Sequence, residues 1–369
     1  MNPSFFDRVL QMLREGAPDV GAASAPGAGD ASATGVGAAG ATRRVGGGTV
    51  THISRVSGGD ISDAYVLETG GGRFFCKVQD ATRGQAMFEA EVRGLEALRP
   101  HFPRVPAVVG TGTLEGKAFL VLEWLQEGKP RPDRWERLGE ALARLHRGAG
   151  VAAASGAAAG GAAASGAAAS GAAAGGAAAS GAAASGAAAS GAAAGPAAPS
   201  AALTFGLEAD NFIATLPQDN HPEPTWPAFY TKRRLLPLWK QGIARGLFSV
   251  KTLGQVEALE ARMNQFFPKN LPSLLHGDLW SGNTKTGPDG DIWIFDPAVY
   301  RGHREMDLAM TRLFGGFPPE FYEAYGPLDA GWEERVAICQ LYPLLVHALL
   351  FGGGYVQECM GIVATYAGG

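Results

Sequence analysis

The stretch from 273 to 300 constrains this chain more than any other. It contains Ser273-Leu-Leu-His-Gly-Asp-Leu-Trp-Ser-Gly-Asn283, and then Asp291-Ile-Trp-Ile-Phe-Asp-Pro-Ala-Val-Tyr300. Asp278 and Asn283 are five residues apart, the spacing of the Asp and Asn in a kinase catalytic loop. Asp296 follows 18 residues after Asp278. It ends an apolar run, Ile292 to Phe295, that reads as a short buried strand. The fold must therefore hold a turn and a strand end side by side so that three polar groups converge.

Phosphoryl transfer explains why these residue types belong together. It needs an in-line acceptor hydroxyl and neutralised phosphate charge. Asp278 is the candidate base for the hydroxyl proton. Mg²⁺ takes hard oxygen ligands, one or two from protein and the rest from water and phosphate; Asn283 and Asp296 offer such oxygens. Gly277 and Gly282 let the backbone turn tightly around the Asp.

Composition excludes other classes. The net charge of −4 carries no nucleic-acid footprint, and Lys232-Arg-Arg234 is only a short basic run. Cys76, Cys339 and Cys359 are scattered and odd in number, which argues for a reducing compartment and against a disulfide framework. No apolar run reaches the length of a membrane span; Leu341 to Phe351 is read as a buried helix. Asp7, Glu15 and Asp19 count against a transit peptide. A cytoplasmic protein is expected, with a plastid location if the true N-terminus is missing.

In chain order, residues 1 to 16 form an N-terminal helix, with Phe5, Val9, Leu10 and Leu13 at helical spacing. Residues 17 to 48 are a low-complexity Ala/Gly insert. A nucleotide-binding lobe follows over 49 to 125. Val50 to Val56, Ala64 to Leu67 and Arg73 to Val78 read as strands. The turn between the first two holds Gly58 and Gly59, whose backbone N–H groups can close over phosphates. Lys77 on the third strand either snorkels to solvent or contacts the α/β-phosphates. Thr82 to Leu98 is a helix bearing Glu89 and Glu91. Ala107 to Gly112 and Lys117 to Leu122 form a hairpin. Glu123, Trp124 and Leu125 then form the hinge, where backbone groups would meet adenine.

Residues 126 to 147 begin the second lobe, with an amphipathic helix from Trp135 to His146. Residues 148 to 202 repeat units such as Ser-Gly-Ala-Ala-Ala and lack any core-forming side chain, so a disordered insert is expected. Residues 203 to 369 complete the second lobe, with helices at 226 to 245 and 251 to 267 before the catalytic stretch, a helix opened by Gly302 to Met310, and a long apolar helix from Glu333 to Leu350. Asp307 either hydrogen-bonds the catalytic loop or is a plain helix N-terminal carboxylate.

The full pattern resembles the fructosamine kinase/ketosamine-3-kinase family, within the protein-kinase-like and aminoglycoside-phosphotransferase-like superfamily. The matching residues are Leu274 to Asn283, Asp296-Pro-Ala298, Gly302 to Glu305, Asp307 to Met310, Leu313 to Phe317, Phe321 to Tyr325, Gln340-Leu-Tyr342, Phe351-Gly-Gly353, Phe205-Gly206 and Asp210 to Ile213. In the small lobe, Met87-Phe-Glu-Ala-Glu91 lies 14 residues after Lys77, as in the family. The resemblance leaves out only 17 to 48 and 148 to 202.

It implies an α+β, bilobal protein-kinase-like fold: a small antiparallel β-sheet lobe with one helix, and a larger, mainly α-helical lobe. It implies an ATP- and Mg²⁺-dependent kinase for the 3-hydroxyl of ketosamines, on glycated proteins or small amines. The 3-phosphate is labile and its loss frees the amine, hence deglycation; plant and bacterial relatives look selective for ribulosamine and erythrulosamine. Asp278 is then the base, Asn283 and Asp296 hold the metal, and Lys77 with Glu91 orients phosphates. Trp280, His276 and Asp307 are candidates for the substrate side, Trp280 by stacking on the sugar-amine or else as an ordinary packed Trp. A monomer or weak homodimer is expected. Many relatives carry Cys in the Gly-rich turn where this chain has Asp60, so no disulfide switch is expected there. The competing readings are a kinase of the same fold for an aminoglycoside or choline-like acceptor, and a non-catalytic pseudokinase.

Overall fold

The computed structural model describes residues 1–15, 49–56, 62–159 and 204–368. The small lobe is a five-stranded sheet closed between two helices. Helix α1 (Pro3–Glu15) precedes β1 (Val50–Val56), β2 (Asp63–Thr69), β3 (Gly72–Asp80), α2 (Ala81–Leu98), β4 (Val108–Leu114) and β5 (Lys117–Glu123). The strands run in the order β1-β2-β3-β5-β4, and every neighbouring pair is antiparallel.

Alternation along each strand decides which helix a side chain meets. Phe74, Cys76 and Val78 of β3, with Phe119 and Val121 of β5, pack with Phe5, Phe6, Val9 and Leu10 of α1. The opposite parity of β5, Ala118, Leu120 and Leu122, packs with Phe88, Val92 and Leu95 of α2. Lys77 falls on the α2 side by the same parity. Asp80 caps α2, its carboxylate accepting from the Thr82 amide at 3.1 Å, which fixes the helix register against β3.

The large lobe is mainly helical. It begins with α3 (Arg134–Ala159), followed by a small hairpin, β6 (Asn211–Ile213) and β7 (Leu216–Gln218). Helix α3 begins at Arg134 and continues through Ala159, into the Ala/Gly/Ser block where no regular structure is expected. Extending an existing helix needs no new nucleus, and alanine is the best helix former. Next come α4 (Trp226–Phe229), a π-helical turn (Tyr230–Leu235), α5 (Leu236–Ala244), and α6 (Leu253–Phe266). Strands β8 (Ser273–Leu275), β9 (Thr284–Thr286), β10 (Ile292–Ile294) and β11 (Tyr300–Gly302) frame the catalytic stretch, and α7 (Glu305–Leu313), α8 (Pro319–Tyr325), α9 (Trp332–Phe351) and α10 (Gly354–Ala367) complete the lobe.

The apolar helix α9 is largely buried. Pro343 inside it cannot donate to the Cys339 carbonyl. The Tyr230 hydroxyl lies 2.7 Å from the Ile338 carbonyl, 3.3 Å from that of Cys339, and accepts from the Tyr342 amide at 3.1 Å. The π-helical turn thus supplies the side chain that repairs the ladder of α9.

Candidate active site

The catalytic loop is bent by Gly277 and pinned by Asp307. Gly277 has φ +84°, and a Cβ there would come within 2.0 Å of the Ala298 carbonyl oxygen; no other residue fits. The Asp307 carboxylate, 1% exposed, accepts from the backbone amides of His276 at 2.8 Å and Gly277 at 2.9 Å. It also lies 3.1 Å from His146 Nε2, whose Nδ1 meets the Tyr325 hydroxyl at 2.9 Å. Of the two readings of Asp307, the loop contact is the one formed. His146 as its partner has no local motif; only the packing of α3 on α8 brings it there.

His276 and Asp307, both candidates for the substrate side, are instead buried. His276 Nε2 is 3.1 Å from the Phe295 carbonyl, and its Nδ1 accepts from the Asp278 amide at 3.3 Å. Burial lowers its pKa, which keeps the ring neutral in a tautomer that suits both partners. The ring bridges the loop and the residue that follows β10.

Asp278 follows at the mouth of the loop, partly open to solvent. Asn283, on a 3₁₀ turn over Ser281–Asn283, donates Nδ2 to the Asp278 carbonyl at 2.8 Å and to its Oδ2 at 3.0 Å. With its amide nitrogen committed, Asn283 has only an oxygen left to offer. Desolvation raises the Asp278 carboxyl to about 7; the Asn283 hydrogen bond opposes this, while Asp296 and Asp307 add to it.

Asp296 adopts φ +56°, a conformation that Asp tolerates better than most residues. Its Oδ1 lies 2.6 Å from Lys77 Nζ. Lys77 in turn meets both carboxylate oxygens of Glu91, at 2.9 and 3.0 Å. Burial works against the Lys77 charge, but Asp296 and Glu91 outweigh it and the pKa is raised. Burial also raises Glu91, with Asp296 adding and Lys77 opposing. The ammonium is held charged rather than snorkelling to solvent, and the helix partner is Glu91.

At the hinge, Glu123 Oε2 accepts from the Ala107 amide at 2.9 Å, so its side chain braces the small lobe. The Trp124 ring lies 4.9 Å from Lys285 Nζ of β9, and Leu125 is buried. Trp280 is partly exposed; its ring meets Phe314 edge-on at 5.6 Å and covers the Cα of Gly282. Gly58, Gly59 and Asp60 lie outside the described residues.

The residues present suit Mg²⁺. Asn283 and Asp296 give two hard oxygens beside the cleft, while no group of three or more His, Cys, Asp or Glu forms a cage among the described residues. Two protein ligands with phosphate and water is this ion's usual coordination when it accompanies a nucleotide.

A lysine–glutamate pair, a strand-terminal Asp and an Asp/Asn loop on this bilobal frame define a protein-kinase-like protein. The chain belongs to the fructosamine kinase family, whose profile matches residues 39–157 and 197–367. It is 35% identical to a probable ketoamine kinase of Synechocystis over 310 residues, 82% of this chain and 86% of that protein. The solved structure of a candidate fructosamine-3-kinase from Thermobifida fusca is 30% identical, with TM-score 0.64, covering 87% of this chain and 94% of the other. The aminoglycoside phosphotransferase APH(4)-Ia, solved with ADP and hygromycin B, shares the fold at TM-score 0.50 and 14% identity, over 87% and 96% of the two chains.

Proposed function

We propose that this protein is an ATP-dependent kinase for the 3-hydroxyl of ketosamines, carried on protein lysines or free amines, and that its product breaks down to release the amine. The observation that carries the reading is the convergence of Asp278, Asn283 and Asp296 of the large lobe with Lys77 and Glu91 of the small lobe. Family membership supplies the ketosamine class; the order of preference among ribulosamine, erythrulosamine and fructosamine follows the resemblance to plant and bacterial relatives.

In this reading Asp278 accepts the acceptor hydroxyl proton, and its raised pKa makes it a competent base near neutrality. Asn283 orients that carboxylate and, with Asp296, holds Mg²⁺. The metal, when bound, neutralises phosphate charge. Lys77, fixed by Glu91, positions the α/β-phosphates. Trp280 offers an aromatic face two residues beyond the base, where a sugar-amine can stack.

The test is consumption of Mg-ATP with ribulosamine and fructosamine adducts of lysine, wild type beside Asp278→Asn. Turnover of an adduct by the wild type, lost by more than about a hundredfold in the variant, supports both acceptor and base. If neither adduct is consumed while an aminoglycoside or choline is phosphorylated, the ketosamine assignment is wrong and the kinase assignment survives.

A further inference from the structure

Asp291 lies outside the constellation just described, five residues before Asp296, and is 3% exposed. Three guanidiniums from three parts of the chain converge on it. Arg137 of α3 binds it with two hydrogen bonds, Nε to Oδ1 at 2.6 Å and Nη2 to Oδ2 at 2.8 Å. Arg104, in the turn between α2 and β4 of the small lobe, donates Nη2 to Oδ2. Arg131, in the segment that joins the lobes, has Nε 3.7 Å from Oδ1.

The neighbouring acids do not share this load evenly. Asp289 takes Arg104 Nε at 3.0 Å, and Asp133 takes Arg131 Nε at 3.2 Å. Among the described residues, Asp291 is the only acid within ion-pair distance of Arg137. Backbone bonds run beside the charges: Ile294 N–H to the Arg104 carbonyl at 3.0 Å, and Arg131 N–H to the Gly290 carbonyl at 2.9 Å. One carboxylate therefore sits where the small lobe, the connecting segment and the large lobe meet, immediately before β10, which leads to Asp296.

We infer that Asp291 is a positioning residue that sets how the two lobes close on the nucleotide, by neutralising the repulsion between Arg104 of the small lobe and Arg137 of the large one. It rests on the kinase reading and acts through β10 and Arg104, touching no reacting atom. With the charge removed, guanidiniums from opposite lobes face each other, and because their side chains are 22% and 39% exposed, salt reaches and screens the repulsion. The lobes move apart there, and Lys77 and Asp296 lose the separation needed to hold phosphate and metal together.

The experiment is calorimetric titration with Mg-AMP-PNP, without acceptor, beside the melting temperature. Asp291→Asn keeps the shape and removes the charge. Its affinity is expected to be about tenfold below wild type at about 0.05 M salt, and the ratio to wild type is expected to close toward one at about 0.5 M as salt screens the arginines. Adding Arg137→Gln to Asp291→Asn is expected to recover most of the loss at low salt. A merely structural role would lower the melting temperature without a salt-dependent ratio or a rescue. Equal binding by Asp291→Asn and wild type overturns the inference, as does a deficit that ignores both salt and the second substitution. If Asp291→Asn does not fold, the double variant Asp291→Asn/Arg137→Gln carries the test: recovered folding with affinity near that of wild type supports the inference, and a deficit of about tenfold overturns it. A wild type that fails to bind Mg-AMP-PNP would instead overturn the kinase reading.

Discussion

The Asp296 carboxylate reaches the Lys77 ammonium at 2.6 Å although 219 residues separate them. Lys77 is thereby shared by two acids, Glu91 in its own lobe and Asp296 in the other. Lys77→Met leaves those carboxylates facing each other with no cation between them. We predict a fall in kcat/KM of about a hundredfold or more and weaker Mg-ATP binding, read by steady-state kinetics at varied ATP. Wild-type kinetics in this variant would remove Lys77 from the site.

Asp278 gives a pH dependence with a definite sign. Its carboxyl is raised to about 7, and a base must be ionised to work. The kcat/KM for acceptor is therefore low in acid, climbs about tenfold per pH unit, and levels above about pH 7. An acidic limb centred near the ordinary carboxylate value would contradict this reading of the Asp278 environment.

Asp307 predicts a stability effect. Burial alone would raise its pKa; the hydrogen bonds from His146 and the Gly277 amide overcome this and hold it low. A depressed carboxyl stabilises the fold above its unfolded pKa, and the gain is lost as pH falls through the lower folded value. Asp307→Ala orphans two loop amides and a buried imidazole, costing about 3 kcal/mol. The melting temperature at neutral pH is expected to drop by several degrees, and the gap between variant and wild type to narrow in strong acid. An unchanged melting temperature at neutral pH would show that the loop does not depend on this clamp.

Trp280 separates binding from chemistry. If its exposed face stacks on the sugar-amine, Trp280→Ala raises the acceptor KM more than it lowers kcat. An effect confined to kcat would assign the ring to loop packing against Phe314 and Gly282.

Most of the small lobe was legible from its short apolar runs and one striped helix, but Lys77 was left between solvent and the phosphates, and its contacts with Glu91 and Asp296 decide it. Asp278, Asn283 and Asp296 were legible by spacing, since one turn and one hairpin bring them together. His276 was misplaced because a histidine beside the base reads equally well as ligand contact or backbone brace, and only burial separates the two. His146 and Asp291 were not legible as partners. Their contacts cross 161 residues to Asp307 and 154 residues to Arg137, and no local period records such pairs. The reach of α3 to Ala159 was missed because glycine content was weighed without the helix already formed before it.

The segment from Asp296 to Gly302 is short and held on both flanks. Ala298 N–H bonds the His276 carbonyl at 2.9 Å, and Tyr300 and Gly302 pair with Leu275 and Ser273. On the other flank Gln218 donates to the Ala298 carbonyl at 3.1 Å and Asn211 to that of Val299 at 2.7 Å. A backbone tethered at so many successive residues has no slack with which to fold away and block the cleft. On the kinase reading, this segment is expected to keep one conformation, with no long loop in it for a covalent switch to reorder.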